Sequence, residues 1–211
     1  MLTLEPLQFL VFLGAALVLA ITPGPGIMYV LARTVAGGRS DGLASSFGTA
    51  IGGLLHVGVA AAGLSALVAA SAFAYSLVKY IGAAYLLYLG IRTVLSARLA
   101  ERPAQLQAAG TRRSLLEGIL TEALNIKTAM FFLAFIPQFV DAHNALWPQF
   151  VFLGTVCVVL NTLVDVLVVF CASRLLPRLR SSRRPAQITS YSSGGVLIGL
   201  GAYLALADDG H

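Results

Sequence analysis

Lys127, Asp165, Glu122 and His56 all stand inside long apolar runs, where an ionisable side chain requires a reason. Lys127 is the sharpest case. It is 14 residues from Arg113 and 14 from Asp141, so it falls at the middle of its run. A charge at the centre of a membrane helix costs about 2.5–3.5 kcal/mol on insertion scales, so it must face protein or water and needs a partner. Two uses fit: a structural ion pair with Asp165 or Glu122, or an anchor for a substrate carboxylate. Asp165 follows Asn161 by four residues and Cys157 by eight, which places the three on one helix face. That stripe is expected to point inward. Its aspartate suits a packing contact or salt bridge, or else proton exchange or a contact with a substrate ammonium. Glu122, five residues before Lys127, poses the same choice, whereas Glu117 is expected at the interface. His56 shares a face with Gly48 and Gly52, small residues that let helices approach closely. A hydrogen-bonded packing histidine is its plainer role and a proton relay the other, since its ordinary pKa lies near physiological pH.

The element that must position these groups is the stretch Ile21, Thr22, Pro23, Gly24, Pro25, Gly26. No charge occurs between Glu5 and Arg33, and those 27 residues exceed the roughly 20 needed to cross a bilayer. The two prolines remove amide donors and clash with the carbonyls of Leu19 and Ile21, four positions back. Thr22 and Gly24, each before a proline, are pushed out of helical geometry. A helix break is expected there. In lipid, backbone groups freed by a break cost several kcal/mol each unless protein or a water-filled cavity meets them. The freed carbonyls present negative charge, and the half-helix after Pro25 presents amide donors and a positive dipole end. One break thus offers both polarities, which suits a small zwitterion such as an α-amino acid without excluding other anions.

Composition sets the class. The 211 residues are 58% hydrophobic and 11% charged, against about 25% charged in a soluble domain. An all-α, polytopic membrane protein of one domain follows, with six spans. They run from Pro6 to Ala32; two inside Gly42–Ile91 with a turn near Ala69–Ser76; then Ser114–Val140, Ala145–Ser173 and Ala186–Ala207. The stretches after spans one, three and five hold 12 of the 14 Lys and Arg residues, and the opposite side holds none. Both termini are therefore expected outside the cytoplasm. The basic residues lie in short stretches between apolar runs, so the net charge of +5 reads as orientation charge rather than a nucleic-acid surface. Lys79, at a span end, is expected to snorkel, and Tyr80, Tyr85 and Tyr88 to pack or anchor. Cys157 and Cys171 are expected as free thiols. No basic leader precedes the first apolar run, so a cleaved signal peptide is not expected.

Shifting the chain by 103 residues sets Thr22, Pro23 and Gly24 over Asn125, Ile126 and Lys127. With three spans in each half (about 1–100 and 112–211), the halves would enter the membrane from opposite sides, a 3+3 inverted repeat. Such repeats often place substrate at broken helices near the midplane.

The combination of Thr22-Pro23-Gly24-Pro25, the stretch from Gly82 to Arg92 (GAAYLLYLGIR), Asn125-Ile126-Lys127, Phe131-Phe132-Leu133 and Pro137-Gln138-Phe139 resembles the LysE/RhtB family of amino-acid exporters. The similarity covers almost the whole chain. It implies a bacterial inner-membrane secondary exporter of amino acids or close derivatives, driven by the electrochemical gradient. One departure is visible: the family usually carries Asn-Pro-Lys where this chain has Ile126, which would soften the second break.

Together these observations place an amino acid between the first break (Thr22, Pro23, Gly24, Pro25, Gly26) and the Asn125–Lys127 region, with Asp165, Glu122 or His56 coupling transport to protons. No cofactor or metal is expected, since no second histidine or cysteine stands at ligand spacing. A scaffold without transport is the main alternative, and a redox or metal carrier a lesser one. An enzyme is disfavoured, because no large soluble loop or nucleophile–base pair appears. Glycine pairs such as Gly195/Gly199 suit internal packing or a homodimer equally.

Overall fold

The computed structural model describes the chain path over residues 5–70, 108–141 and 144–179, with side chains at 5–63, 108–141 and 144–174, and isolated helical positions from Leu77 to Leu95 and at Ile198. The expected turn beyond Ala70, the sixth span, Lys79, Tyr85 and Gly195/Gly199 lie outside the described residues. Within them all regular structure is helical: α1 (Pro6–Ile21), α2 (Pro25–Ala70), α3 (Thr111–Ala123), α4 (Ile126–Ala134), a 3-10 turn (Ile136–Phe139) and α5 (Leu146–Leu179).

The first break is present. α1 begins at Pro6, where the missing N–H costs nothing, and ends at Thr22, which is extended (φ −70°, ψ 120°). Helix resumes at Pro25, with Met28 N donating to the Gly24 carbonyl at 3.0 Å. A second break separates α3 from α4, with a bend of 47°. Asn125 is extended there, and its Oδ1 accepts from the Lys127 amide at 3.1 Å. This side-chain cap does what the missing proline ring would do, so Ile126 does not abolish the break. The offset of 103 residues sets Thr22 on Asn125, break upon break.

α2 is not one rod. Gly38 (φ 76°, ψ −163°) adopts a conformation open essentially only to glycine. A straight helix would hold Gly26 and Thr49 about 34 Å apart, yet a Cβ on Gly26 would lie 3.8 Å from Thr49 Cγ2. The two arms therefore fold back as a hairpin. The first arm continues from α1 past the break, over the stretch expected as span one, and the second lies where span two is expected.

Span one runs antiparallel to the α3–α4 span. Tyr29 meets Ser114, Leu19 meets Lys127, and Phe12 meets Phe135 and Phe139. The second arm crosses α3 with backbones almost touching, because the contact residues are Gly48, Gly52 and Gly118. α5, apolar and long enough to cross a bilayer over Leu146–Arg174, packs against α1 and α2. The core is aromatic: Phe131 stacks on Phe135 at 4.7 Å, and Phe135 meets Phe139 at 4.8 Å.

The polarity is that of a membrane protein. Leu7, Val59, Leu124 and Leu167 are exposed, while Thr22, Asn125, Lys127, Thr128 and Asp165 are buried. Such an apolar exterior is stable only against lipid.

A Cβ on Gly118 would stand 2.7 Å from the Ser45 carbonyl, an atom that cannot yield without parting the helices. Overpacking of this kind costs about 1–3 kcal/mol, or roughly 2–12 °C of melting temperature at this size. Gly118→Val should therefore melt lower by that amount in detergent. Gly58→Ala, with open space around the new methyl, should melt no lower than wild type. Equal melting of both variants would contradict the close crossing.

Candidate functional site at the paired helix breaks

Lys127 enters as the second residue of α4, and its side chain crosses to the first break. It is only 8% exposed. The ammonium donates to the Leu19 carbonyl at 3.2 Å and to the Thr22 carbonyl at 3.0 Å. Pro23 removes the helical donor four residues on from the Leu19 carbonyl, which also accepts from the Thr22 amide at 3.3 Å. The second comes from Thr22 rather than Ile21, whose side chain is half exposed on the outer face. Of the two uses the sequence allows, the ion pair with Asp165 or Glu122 is not formed: among the described residues no carboxylate pairs with this ammonium. The reason is local. The break supplies two buried carbonyls, while Glu122 is engaged at both oxygens and Asp165 at one.

Glu122 is held at both oxygens. Asn125 Nδ2 donates to Oε2 at 3.0 Å and Thr128 Oγ1 to Oε1 at 2.6 Å. Asn125 thus caps α4 with one end of its amide and fastens Glu122 with the other. His56 Nε2 lies 2.8 Å from the Glu122 backbone carbonyl, which can only accept, so Nε2 is the donor. The histidine ties the second arm of α2 to the end of α3 and sets its ring edge-on to Phe132. This is the packing role, and the glycine face it shares with Gly48 and Gly52 is the close-contact face.

Asp165 is buried, and its Oδ2 accepts from Thr49 Oγ1 at 2.9 Å. Its Oδ1 makes no hydrogen bond among the described residues. The stripe points inward as expected: Cys157 is in the core, and Asn161 and Asp165 line a cavity.

The two glycines of the break mark where charge sits. A Cβ at Gly24 would lie 2.8 Å from Lys127 Nζ, and one at Gly26 would lie 2.5 Å from Glu122 Oε2. A cation therefore stands at the carbonyl end of α1 and an anion beside the first turn of α2, each matching the helix dipole. Pro23 and Pro25 shape the break and do not line the cavity, nor do Thr22 and Gly24. Thr22 Oγ1 donates to the Val18 carbonyl at 2.6 Å and closes the last turn of α1.

The cavity measures about 30 Å³ and is lined by Lys127, Glu122, Asp165, Asn125, Thr49 and Thr128 among others. That is room for water only; pockets for small molecules hold about 300–1,000 Å³. Thr49 and Thr128 were not singled out from sequence. Thr49 stands beside the Gly48/Gly52 face and Thr128 beside Lys127, which is the signal that was there to read.

A second polar cluster lies toward the Arg33 end of span one. Arg33, 3% exposed, pairs with Glu117, and its Nε donates to the Tyr29 hydroxyl at 3.0 Å. That hydroxyl lies 3.1 Å from Glu117 Oε2 and 3.1 Å from the Ser114 carbonyl. Arg113 Nε donates to Glu117 Oε1 at 2.6 Å. Sequence patterning reads Arg33 as orientation charge and Glu117 as interfacial; the structure joins them across the two broken spans.

Comparison with known proteins gives the family. The family described as LysE type translocator matches residues 17–208. A membrane protein of Vibrio cholerae is 34% identical over 207 residues, covering 94% of this chain and 97% of the relative. Leucine efflux proteins of Klebsiella pneumoniae and of an Enterobacter species are 30% and 26% identical; each alignment covers 94% of this chain and 95% of the relative. No solved structure matches the chain. With broken spans, a buried ammonium and a family match over nearly its whole length, the chain belongs to the LysE type translocator family.

Proposed function

We propose that this chain is a secondary active exporter of a neutral or basic amino acid across the bacterial inner membrane. The observation that carries this reading is the convergence of one buried ammonium and two buried carboxylates on a cavity between two helix breaks. An aliphatic amino acid such as leucine is the first substrate to test, given the relatives named leucine efflux protein.

The antiparallel packing of the two broken segments supports a 3+3 inverted repeat, and the distribution of Lys and Arg supports both termini outside the cytoplasm. In that arrangement alternating access moves one half against the other around the breaks. The cavity must widen to admit substrate. Of the three proton-coupling candidates, geometry favours Asp165, whose Oδ1 is open; Glu122 has both oxygens engaged and His56 serves as a brace. Proton-motive force is then the driving gradient. Lys127 and Glu122 line the same cavity as Asp165.

The test is counterflow with purified protein in liposomes, screening the common amino acids together with homoserine and homoserine lactone. At least one amino acid should exchange; silence across the panel would favour a scaffold. Lys127→Ala should lower exchange of that substrate by about tenfold or more, since a hydrogen bond to a charged group contributes about 1.5–3 kcal/mol. An unaltered rate would refute the site.

Asp165→Asn separates binding from coupling. Uptake into inverted vesicles driven by a pH gradient should fall about tenfold or more, while exchange at equal pH on both sides is retained. That expectation follows from removing the exchangeable proton but keeping the hydrogen bond from Thr49. Full gradient-driven transport by the variant would exclude Asp165 as the coupling group.

A further inference from the structure

We propose that the first helix break is a binding site for a primary ammonium, that Lys127 fills it when the transporter is empty, and that the substrate's own amino group displaces Lys127 from it. The inference rests on the export reading and says how the same site recognises its substrate.

The Leu19 and Thr22 carbonyls form a cradle at the end of α1, where the dipole favours positive charge. Its occupant is a primary ammonium, on a flexible four-carbon stem with three rotatable donors. An α-amino acid carries the same group. Gly24 leaves open the space in which the ammonium sits, since a Cβ there would lie 2.8 Å from Nζ and 3.0 Å from Cε. The geometry at the other pole matches. Glu122, beside Gly26, supplies a carboxylate near the first turn of α2. Lys127 and Glu122 together therefore offer the break what a zwitterion would offer it, one charge at each pole.

The two poles differ in mobility. Glu122 is fastened by Asn125 and Thr128. Among the described residues the Lys127 ammonium is held by the two carbonyls alone. The Leu19 carbonyl keeps the Thr22 amide at 3.3 Å, whereas the Thr22 carbonyl has no other donor among the described residues. The ammonium can leave only if a better partner appears and another cation takes its place, because an unpartnered ammonium and a carbonyl that has lost its charged donor are both costly away from water. A zwitterion satisfies both conditions at once. Its carboxylate draws Lys127 out of the cradle, and its ammonium fills the cradle. A molecule with only one of the two groups leaves one debt unmet, so the exchange itself selects amino acids over amines and carboxylic acids.

Isoamylamine, which is leucine without its carboxylate, tests this. In wild-type liposomes that show leucine counterflow, isoamylamine should compete at least about tenfold more weakly than leucine. With Lys127→Ala, and with Lys127→Met to preserve packing volume, the cradle is vacant. Radiolabelled isoamylamine should then bind at least about tenfold tighter than to wild type, while leucine binds more weakly. This reversal of preference is not expected of a merely structural lysine. If isoamylamine competes with leucine as an equal in the wild type, the cradle is already open and the proposal is overturned without recourse to a variant. It is equally overturned if both variants fold and bind the amine no better than wild type. Failure of the export reading looks different: the wild type moves no amino acid at all, and the displacement proposal falls with it.

Discussion

The structure depends on one contact, the ammonium of Lys127 on the carbonyls of Leu19 and Thr22. Each side of it would be untenable alone. Carbonyls freed inside a bilayer cost several kcal/mol apiece, and a central lysine costs a similar sum. Brought together, each satisfies the other. This accounts for the two irregularities occurring in one chain and for their meeting in space. It also explains Gly24, since the ammonium occupies the space where any other residue would begin its side chain. Positions 24 and 127 correspond under the 103-residue offset, so the two breaks meet at equivalent points.

Around that contact Asn125 and Glu122 act as fasteners. Asn125 makes the second break without a proline and spends its amide donor on Glu122. Glu122 then joins α3 to α4 through Thr128, while its backbone carbonyl receives His56 from the second arm of α2. The glycine crossing of that arm with α3 brings the histidine within reach. Local chain breaks and tertiary packing are thus linked: moving α4 relative to α1 disturbs the ammonium, and moving the second arm of α2 relative to α3 disturbs the brace.

Much of this was legible in the sequence. The prolines dictate the first break, and the 14-residue flanks place Lys127 at mid-depth. The four-residue spacing sets Asp165 and Asn161 on the inner face, and the Gly48, Gly52, His56 row marks the close crossing. The partner of Lys127 was not legible. Sequence shows charged side chains, so a carboxylate is the natural candidate; backbone acceptors become visible only once the break is placed against α4. Arg33 and Glu117 were hidden for a related reason. An arginine just after an apolar run reads as topology, and only the antiparallel pairing of α1 and the first arm of α2 with α3 and α4 reveals that Glu117 stands opposite it, with Tyr29 one turn earlier on its own arm. The hairpin at Gly38 was likewise obscured, because one glycine among many carries no mark of its backbone angles.

The cavity is bounded along span one by seals of opposite chemistry, and this bears on how a transport cycle would run. At the Arg33 end the seal is ionic, with Arg33, Glu117 and Arg113 as its charges. As such groups separate, water enters and rehydrates both partners, so the loss of contact is largely recovered. At the α1 start the seal is aromatic, with Phe12 against Phe135 and Phe139. Parting those rings exposes apolar surface at roughly 25 cal/mol per Å², and water returns nothing. In the proposed cycle the Arg33 end therefore opens at lower cost, while the aromatic end opens only when something offsets its exposure. If the proposed exporter has its Arg33 end at the cytoplasm, that asymmetry would favour an empty carrier waiting toward the substrate and would make release the costlier step.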